Sequence, residues 1–168
     1  VTFINIFKAC GHLGALDMGR EIHMKLRRSG FNLEPSLSNA LISMYAKCGS
    51  VSEAQEVFDR LQVRDVVAWS TMIKAYGVNH KGQMAMQYFE DMQEDKVKPD
   101  AITFSCLLLA CSHASLVHEG KAYFKVMRDK YGIMPETEHY TSIIDLLARS
   151  GRLYEAEQFI TMCCPISE

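Results

Sequence analysis

The sequence feature that most limits the possible folds is a helical hairpin pattern that recurs about every 35 residues. Its clearest copy is residues 39–60, NALISMYAKCGSVSEAQEVFDR. Apolar residues spaced i, i+3, i+4 and i+7 predict two short amphipathic helices there, joined by a tight turn at residues 48–50. A single hairpin of this size cannot bury its apolar side chains, so neighbours of the same kind are required.

The rest of the chain supplies those neighbours. The turn position recurs at separations of 35, 31, 35 and 36 residues: Gly14, Gly49, His80, Ser115 and Gly151. Five positions later comes a small residue, which we expect where the two helices of a unit cross: Gly19, Ala54, Ala85, Gly120 and Ala156. An apolar pair precedes each turn: Ile6-Phe7, Leu41-Ile42, Met72-Ile73, Leu107-Leu108 and Ile143-Ile144. These columns predict a solenoid of stacked helical hairpins.

The pattern places two helices in each unit and no strand. The first helices are predicted near residues 2–12, 36–47, 66–78, 101–113 and 137–149. The second helices are predicted near residues 15–28, 51–61, 82–95, 116–130 and 152–163. Such a stack curves into a superhelix with a concave face.

Charge and composition narrow the possible partners. The 168 residues carry a net charge of −2 at neutral pH, which argues against non-specific, salt-driven binding of nucleic acid but leaves room for a groove with few, local cations. No apolar run is long enough to cross a membrane, so no membrane partner is expected. The six cysteines form no Cys-x-x-Cys pair, and we interpret them as buried apolar residues in a reducing compartment.

The sequence contains no recognisable catalytic or metal-binding constellation. A nucleobase deaminase requires His-x-Glu with Pro-Cys-x-x-Cys, and neither is present. His118-Glu119 begins like a metal helix, but Ala122 stands where the second histidine would be. Cys106, Cys111 and His113 fall on a predicted first helix, where core packing explains them. We therefore predict no enzyme, no catalytic residue, no metal and no cofactor.

The repeats resemble those of the pentatricopeptide repeat family. The resemblance rests on VVAWSTMIKAY (66–76) with KPD (98–100), NALISMYAKCGSVSEAQEVFD (39–59) and FKACGHLGALDMGREIH (7–23). The Trp-x-x-Leu-Gly-x-x-Tyr opening of tetratricopeptide repeats is absent. The resemblance implies an all-α fold, a right-handed α-solenoid superhelix of about five helix–turn–helix repeats.

The alternating unit lengths resemble the PLS subclass of plant organellar RNA-editing and processing factors. One continuous solenoid domain would then comprise a long-type repeat lacking its first residue, a short-type, a standard, a variant long and a variant short repeat: residues 1–34, 35–65, 66–100, 101–136 and 137–168. In that subclass an extension, and often a cytidine deaminase domain, follows the closing repeats; neither is among these 168 residues. Because Val1 is not methionine and the first unit is incomplete, we expect a piece of a longer chain, with its transit peptide upstream.

The resemblance implies sequence-specific binding of single-stranded organellar RNA, one base per repeat, in a chloroplast or mitochondrion. Its role would be to direct C-to-U editing or related RNA processing. The alternative is a protein-interaction solenoid that recruits accessory editing factors or self-associates through its ends.

The resemblance also implies which residues contact RNA. Bases would be read by the fifth and last residues of each unit: Ile4 with Glu34, Asn39 with Asp65, Ser70 with Asp100, Ser105 with Glu136, and Thr141 with Glu168. The family pairs Asn and Asp with uracil, and Ser and Asp with guanine. Ile4 has no hydrogen-bonding group and is assigned no base, and the two pairs that end in Glu are left open.

Two further columns complete the implied site. The second residue of a unit would stack between bases: Ser36, Val67 and Ile102, with Val1 and Glu138 in the same column. The residue two positions before each turn would contact phosphate. Among the five units this position holds a lysine or an arginine only at Lys47 and Arg149. We therefore expect weak affinity. The competing interpretation is that Asn39, Asp65 and Asp100 are helix N-caps.

Overall fold

The computed structural model of the protein describes the backbone of residues 2–30 and 33–163, and the side chains of residues 2–30 and 33–161. The described residues form ten α-helices and no strand. The helices are α1 (Thr2–Leu13), α2 (Leu16–Arg28), α3 (Pro35–Lys47), α4 (Val51–Asp59), α5 (Val66–Val78), α6 (Gly82–Glu94), α7 (Ala101–His113), α8 (Val117–Asp129), α9 (Thr137–Arg149) and α10 (Leu153–Cys163). They agree with the predicted spans to within two residues, and the predicted α-solenoid is confirmed.

Each hairpin turns on a left-handed residue at the predicted position. The backbone φ is +67° at Gly14, +78° at Gly49, +57° at His80, +56° at Ser115 and +73° at Gly151. The next N–H donates to the carbonyl five residues earlier, as from Ser50 to Tyr45 at 2.9 Å. This bond caps the C-terminus of the first helix. Glycine adopts this conformation without steric cost, whereas His80 and Ser115 carry a Cβ into it.

The core runs without interruption along the stack. Every unit contributes fully buried side chains, among them Phe7, Leu41, Ile42, Met72, Ile73, Leu107, Leu108 and Ile143. Aromatic rings link consecutive units; Phe58 of α4, for example, lies 4.9 Å from Trp69 of α5 between ring centroids. Each hairpin thus buries its apolar face against the next.

The first helices form the inner layer of the solenoid. Helices α1, α3, α5, α7 and α9 pack directly against one another in chain order. Each second helix up to α8 packs on its own first helix and on the first helix that follows, and in the described part of the chain no two second helices come into close backbone contact. Because the first helices are more closely packed, the stack curves with them on the concave side.

The small residues five positions after the turns make room for the neighbouring unit as well as for the helix crossing within their own unit. We expected them at the crossing within a unit, but a Cβ on Gly19 would lie 2.7 Å from the side chain of Met44, which belongs to the next first helix. A Cβ on Gly120 would collide with Leu146 of the next unit as well as approach Cys111 of its own. The expectation was therefore incomplete, because the space is also used by the neighbouring unit.

Ion pairs between second helices link neighbouring units at two places. Arg20 of α2 donates to the carboxylate of Glu53 in α4 at 2.6 Å and 2.9 Å. Lys121 of α8 forms the equivalent ion pair with Glu155 of α10. The Arg20 guanidinium and the Ser50 hydroxyl hold the pKa of Glu53 below its ordinary value. Partial exposure of both pairs limits their contribution to stability.

His23 of α2 is a buried polar residue with a hydrogen-bonding partner. Its Nδ1 lies 2.8 Å from the Tyr45 hydroxyl. Burial, followed by the charges of Arg27 and Arg60, lowers the pKa of His23. Burial also raises the pKa of Tyr45 to about 12. The folded state therefore favours a neutral imidazole whose Nδ1 accepts a hydrogen bond from the Tyr45 hydroxyl.

Within residues 2–30 and 33–163, none of the helices is both long and apolar enough to cross a membrane. All cysteines with described side chains are free thiols: Cys10, Cys48, Cys106 and Cys111. Burial raises the pKa of the Cys106 thiol to about 11 and that of Cys111 to about 12. These two thiols are consequently inert packing groups at neutral pH.

Candidate nucleic-acid interface

The concave side presents one stripe of side chains from each first helix. The stripe follows the helix at spacings of three and four residues, which place its members on one face of the helix. We call this surface the inner groove, defined by Ser36, Asn39, Ser43 and Lys47 on α3, Val67, Ser70, Lys74 and Val78 on α5, and Ile102, Ser105, Leu109 and His113 on α7. All are exposed or half-exposed except Ser70. The helical packing therefore places the predicted fifth-position residues of α3, α5 and α7 in line.

Asn39 is a groove residue with a buried polar atom that lacks a hydrogen-bond partner. It is half-buried, and its Oδ1 is buried without a hydrogen-bond partner among the described residues. The alternative interpretation of Asn39 as a helix N-cap is wrong, because α3 begins at Pro35 and Glu34 occupies the N-cap position. A buried carbonyl oxygen without a donor costs about 1–3 kcal/mol. A ligand N–H that reached it would recover that free energy.

Asp65, the proposed partner of Asn39, is exposed and caps α5. Its Oδ1 accepts a hydrogen bond from the backbone N–H of Ala68 at 2.8 Å. The N-cap interpretation is therefore confirmed for Asp65. Capping occupies one carboxylate oxygen, and a carboxylate has two. Capping and base reading are thus compatible at this residue.

Ser70 and Asp100 are joined through a third residue. Ser70 is only 4% exposed, and its hydroxyl oxygen lies 2.8 Å from that of Thr103 in α7. Asp100 caps α7, accepting from the backbone N–H and from the hydroxyl of Thr103, each at 2.8 Å. The N-cap interpretation is confirmed here too. A base that used Ser70 would meet a hydroxyl that already has a partner.

The third pair is also bridged by the following unit. The hydroxyl oxygen of Ser105 lies 3.2 Å from Nε2 of His139 in α9. The backbone N–H of Glu136 donates to Nδ1 of the same imidazole at 3.0 Å. His139 is buried and so fixes the geometry between the two predicted readers.

The outermost predicted readers are less constrained. Thr141 is exposed and donates to the carbonyl of Thr137 at 2.8 Å. Its predicted partner Glu168 lies outside the described residues. At the other end Ile4 is half-buried and Glu34 is exposed.

The predicted stacking residues reach the groove surface. Val67 is 53% exposed and Ile102 is 66% exposed, so both present apolar surface to a base. Ser36 and Glu138 are exposed as well, but they offer little apolar area. Val1 lies outside the described residues.

The two predicted phosphate contacts differ in available charge. Lys47 is exposed, and its aliphatic stem lies against the backbone of α1 where Gly11 has no Cβ. Arg149 is engaged by Asp145, with Nε 2.8 Å from Oδ2. The Ser112 hydroxyl, followed by Arg149, lowers the pKa of Asp145 and keeps it ionised. The charge of Arg149 is thus partly neutralised, whereas Lys47 pairs with no described carboxylate within 4 Å.

Sequence reasoning missed two other cations on this side of the stack. Lys74 is exposed one helical turn after Ser70, and Lys8 is exposed one turn after Ile4. Neither pairs with a described carboxylate within 4 Å. Both lysines could have been predicted from the sequence, because a residue four positions after a fifth-position residue lies on the same face of the helix.

The described residues bring no three His, Cys, Asp or Glu side chains together in a group that could hold a metal ion. The groove instead offers hydrogen-bonding pairs, apolar side chains and separated cations. This combination suits a flexible, single-stranded polyanion with exposed bases. The fold and the groove thus define a helical-repeat protein that presents one set of polar residues per unit.

Comparison with known proteins identifies the family. The PPR repeat matches residues 37–66, 102–131 and 138–162, and the PPR repeat family matches residues 64–113. The chain belongs to the pentatricopeptide repeat family. The matched residues include Asn39, Ser70, Ser105 and Thr141.

Relatives and solved structures agree with this assignment. The chain is 43% identical over 166 residues to the pentatricopeptide repeat-containing protein At2g20540 of Arabidopsis thaliana, covering 99% of this chain and 31% of that protein. It is 42% identical over 160 residues to the Arabidopsis thaliana protein CRR2, chloroplastic, covering 95% of this chain and 24% of the relative. The chain therefore spans less than a third of the length of these relatives.

The crystal structure of the pentatricopeptide repeat protein PPR10 in complex with an 18-nt psaJ RNA element superimposes with a TM-score of 0.74. The two sequences are 26% identical, and the match covers 83% of this chain and 21% of PPR10.

Proposed function

We propose that this chain binds single-stranded RNA along the inner groove, reading one base per unit. The longer protein to which it belongs would use this selectivity to direct organellar RNA editing or related processing, as a member of the PLS subclass. Asn39 with Asp65 reads uracil, and Ser70 with Asp100 reads guanine. Bases stack against Val67 and Ile102.

The observation that carries the proposal is the unpartnered Oδ1 of Asn39, which lies in line with the fifth-position residues Ser70 and Ser105. Folded proteins satisfy nearly all buried polar atoms, so an exception calls for an explanation. Uracil carries an N–H at the centre of its Watson–Crick edge, flanked by two carbonyl oxygens. The Asn39 amide can accept from that N–H and donate to an adjacent oxygen. The terminal torsion of asparagine is soft, so the amide can turn toward the groove at little cost.

The charge of the groove supports a specific but weak ligand interaction. Lys47 and Lys74 in the groove, with Lys8 on the adjoining helix α1, are separated cations suited to phosphates. Asp65 and Asp100 at the N-termini of α5 and α7 keep the surrounding surface from being uniformly positive. Non-specific attraction of RNA is correspondingly small. Base contacts then make a larger relative contribution than in a strongly basic protein.

The comparisons support the class of ligand and the compartment. PPR10, which shares the fold, was solved with an 18-nt RNA element. The relative CRR2 is named as chloroplastic. We extend both properties to this chain by family membership, with a chloroplast or a mitochondrion as the site of action.

The test is a titration of the chain with a single-stranded RNA pool at low and at physiological salt. We expect three phosphate contacts, from Lys8, Lys47 and Lys74. A plot of the logarithm of the binding constant against the logarithm of the salt concentration should then have a slope of about −2. Sequencing of the bound RNA should show U next to G at adjacent positions. Binding without sequence enrichment that disappears at modest salt would contradict the proposal.

A second candidate, a protein-interaction role, is favoured by apolar side chains at the two ends of the array. Leu13 is 82% exposed at one end, and Leu153 and Tyr154 are 67% and 74% exposed at the other. Such surfaces suit contact with further helical units, an accessory editing protein or a second copy of the chain. Sedimentation of Tyr154→Ser and Leu13→Ser chains distinguishes this role, since loss of association without loss of RNA binding would assign the ends to protein contact.

A further inference from the structure

Ser70 and Ser105, two of the predicted base-reading residues, have the same side chain but use its hydroxyl in opposite ways. One hydroxyl donates its hydrogen bond to the neighbouring unit, and the other accepts one from it. Each lies beside the third residue of the following unit, which is Thr103 for Ser70 and His139 for Ser105. The direction of each bond follows from the other bonds that the partner makes. The two directions differ.

At Ser70 the proton is donated away from the groove. The Thr103 hydroxyl donates to Oδ1 of Asp100 at 2.8 Å and accepts from the backbone N–H of Asp100 at 3.2 Å. A hydroxyl has one proton. Because Thr103 uses its proton on Asp100, the 2.8 Å bond between the two hydroxyls takes its proton from Ser70. Ser70 is left with lone pairs only.

At Ser105 the proton is retained. The backbone N–H of Glu136 can only donate, so Nδ1 of His139, 3.0 Å away, carries no proton. The neutral imidazole then bears its proton on Nε2, which lies 2.9 Å from the carbonyl oxygen of Ala101 and 3.2 Å from the Ser105 hydroxyl. Nε2 is therefore the donor toward both oxygens. Ser105 accepts from it and keeps its own O–H.

We propose that the third residue of each following unit sets whether the serine reader before it accepts or donates a hydrogen bond. Ser70, an acceptor beside the carboxylate of Asp100, suits guanine, whose ring N–H and exocyclic amine both donate. Ser105, a donor beside the carboxylate of Glu136, suits adenine or cytosine, whose ring nitrogen accepts while the exocyclic amine donates. Thr103 and His139 are positioning residues, and this inference rests on the proposed RNA binding.

The unit that contains Asn39 is consistent with the same rule. The third residue of the unit that follows is Ala68, whose side chain has neither a donor nor an acceptor. Asn39 therefore keeps both ends of its amide for a ligand, in agreement with its unpartnered Oδ1. Uracil, with a central donor between two acceptors, requires both ends.

The experiment is selection of bound RNA from a single-stranded pool with a random core, for the wild-type chain and three variants. The wild type should enrich U, G and then A or C at three consecutive nucleotides. Thr103→Val, nearly equal in shape, should abolish a preference for G over A of about tenfold at the second nucleotide. Thr103→Ser should retain that preference. His139→Leu should remove selection at the third nucleotide and leave the first two unchanged.

The selection distinguishes failure of this inference from failure of the proposed RNA binding. Unchanged G enrichment by folded Thr103→Val, or G or U at the third nucleotide of the wild-type selection, would overturn the inference while leaving RNA binding intact. No enrichment at any position by the wild type would overturn the proposed function itself, and the inference with it. Far-UV circular dichroism verifies folding. The third nucleotide selected by the wild type tests the inference even if a variant does not fold.

Discussion

Gly77 of α5 lies so close to Ala110 of α7 that a Cβ on Gly77 would fall 2.8 Å from the Cβ of Ala110 and 3.0 Å from its Cα. The second of these atoms is backbone, so the clash cannot be relieved by turning a side chain. This contact sets the separation of two inner helices that carry groove residues. The distance between Lys74 and Ser105 along the groove depends on it.

Gly77→Ala should destabilise the fold. In an ordinary helix interior, glycine to alanine stabilises by about 1 kcal/mol, but overpacking at a tight crossing costs about 1–3 kcal/mol. We expect a net loss of about 1 kcal/mol in the free energy of unfolding, measured by urea denaturation. A gain in stability would show that α5 and α7 are farther apart than described.

Ser115→Gly should stabilise the fold. Ser115 has a φ of +56° in the turn between α7 and α8. A residue with a Cβ pays about 1–2 kcal/mol for this conformation, whereas glycine does not. We expect a gain of about 1 kcal/mol in urea denaturation. Ser142→Gly, within helix α9, is the matched control and should lower stability.

Stability should decrease in mild acid because of His23. The pKa of His23 is lowered by burial, so the unfolded state takes up a proton at a higher pH than the folded state does. Stability is then fully present above the unfolded-state pKa of about 6.5 and is lost as the pH falls through the folded-state value. His23→Gln, which can still accept from Tyr45, should flatten the melting temperature between about pH 7 and pH 5. A pH dependence in His23→Gln as steep as that of the wild type would contradict the assignment.

Lys74→Ala should weaken RNA binding equally for all sequences. Lys74 is exposed in the groove one turn after Ser70, and its contribution would be to phosphate rather than to a base. Loss of one such contact should make the salt dependence shallower by about 0.7 in the log–log slope. Lys125→Ala, which removes an exposed cation from the second helix α8, is the control. Equal effects of the two substitutions would indicate bulk charge rather than a groove contact.

The sequence predicted those features that depend on local chain chemistry. The turn positions followed from spacing, and the left-handed conformation appeared at all five of them, including the two without glycine, His80 and Ser115. The helix spans followed from the apolar periodicity. The competing N-cap interpretation of Asn39 could have been discarded from the sequence, because Pro35 already indicated the first helical residue.

The features that sequence reasoning could not supply depend on how neighbouring units align. The contacts of Ser70 with Thr103 and of Ser105 with His139 join residues 33 and 34 positions apart. No periodicity within one helix predicts them. The pairing of Arg149 with Asp145 was different, since a separation of four residues on one helix was visible in the sequence. The division into long, short and standard units stays a prediction.

The central claim is that Asn39 with Asp65 reads one uracil. The most direct measurement is the ratio of dissociation constants for two RNAs that differ only by U or C at the nucleotide opposite residues 35–65, in the wild-type chain and in Asn39→Ala. We predict about tenfold tighter binding of the U-containing RNA by the wild type, since one buried hydrogen bond is at stake, and equal binding of both by Asn39→Ala. Equal binding by the wild type, or a preference for U that survives in Asn39→Ala, would contradict the account.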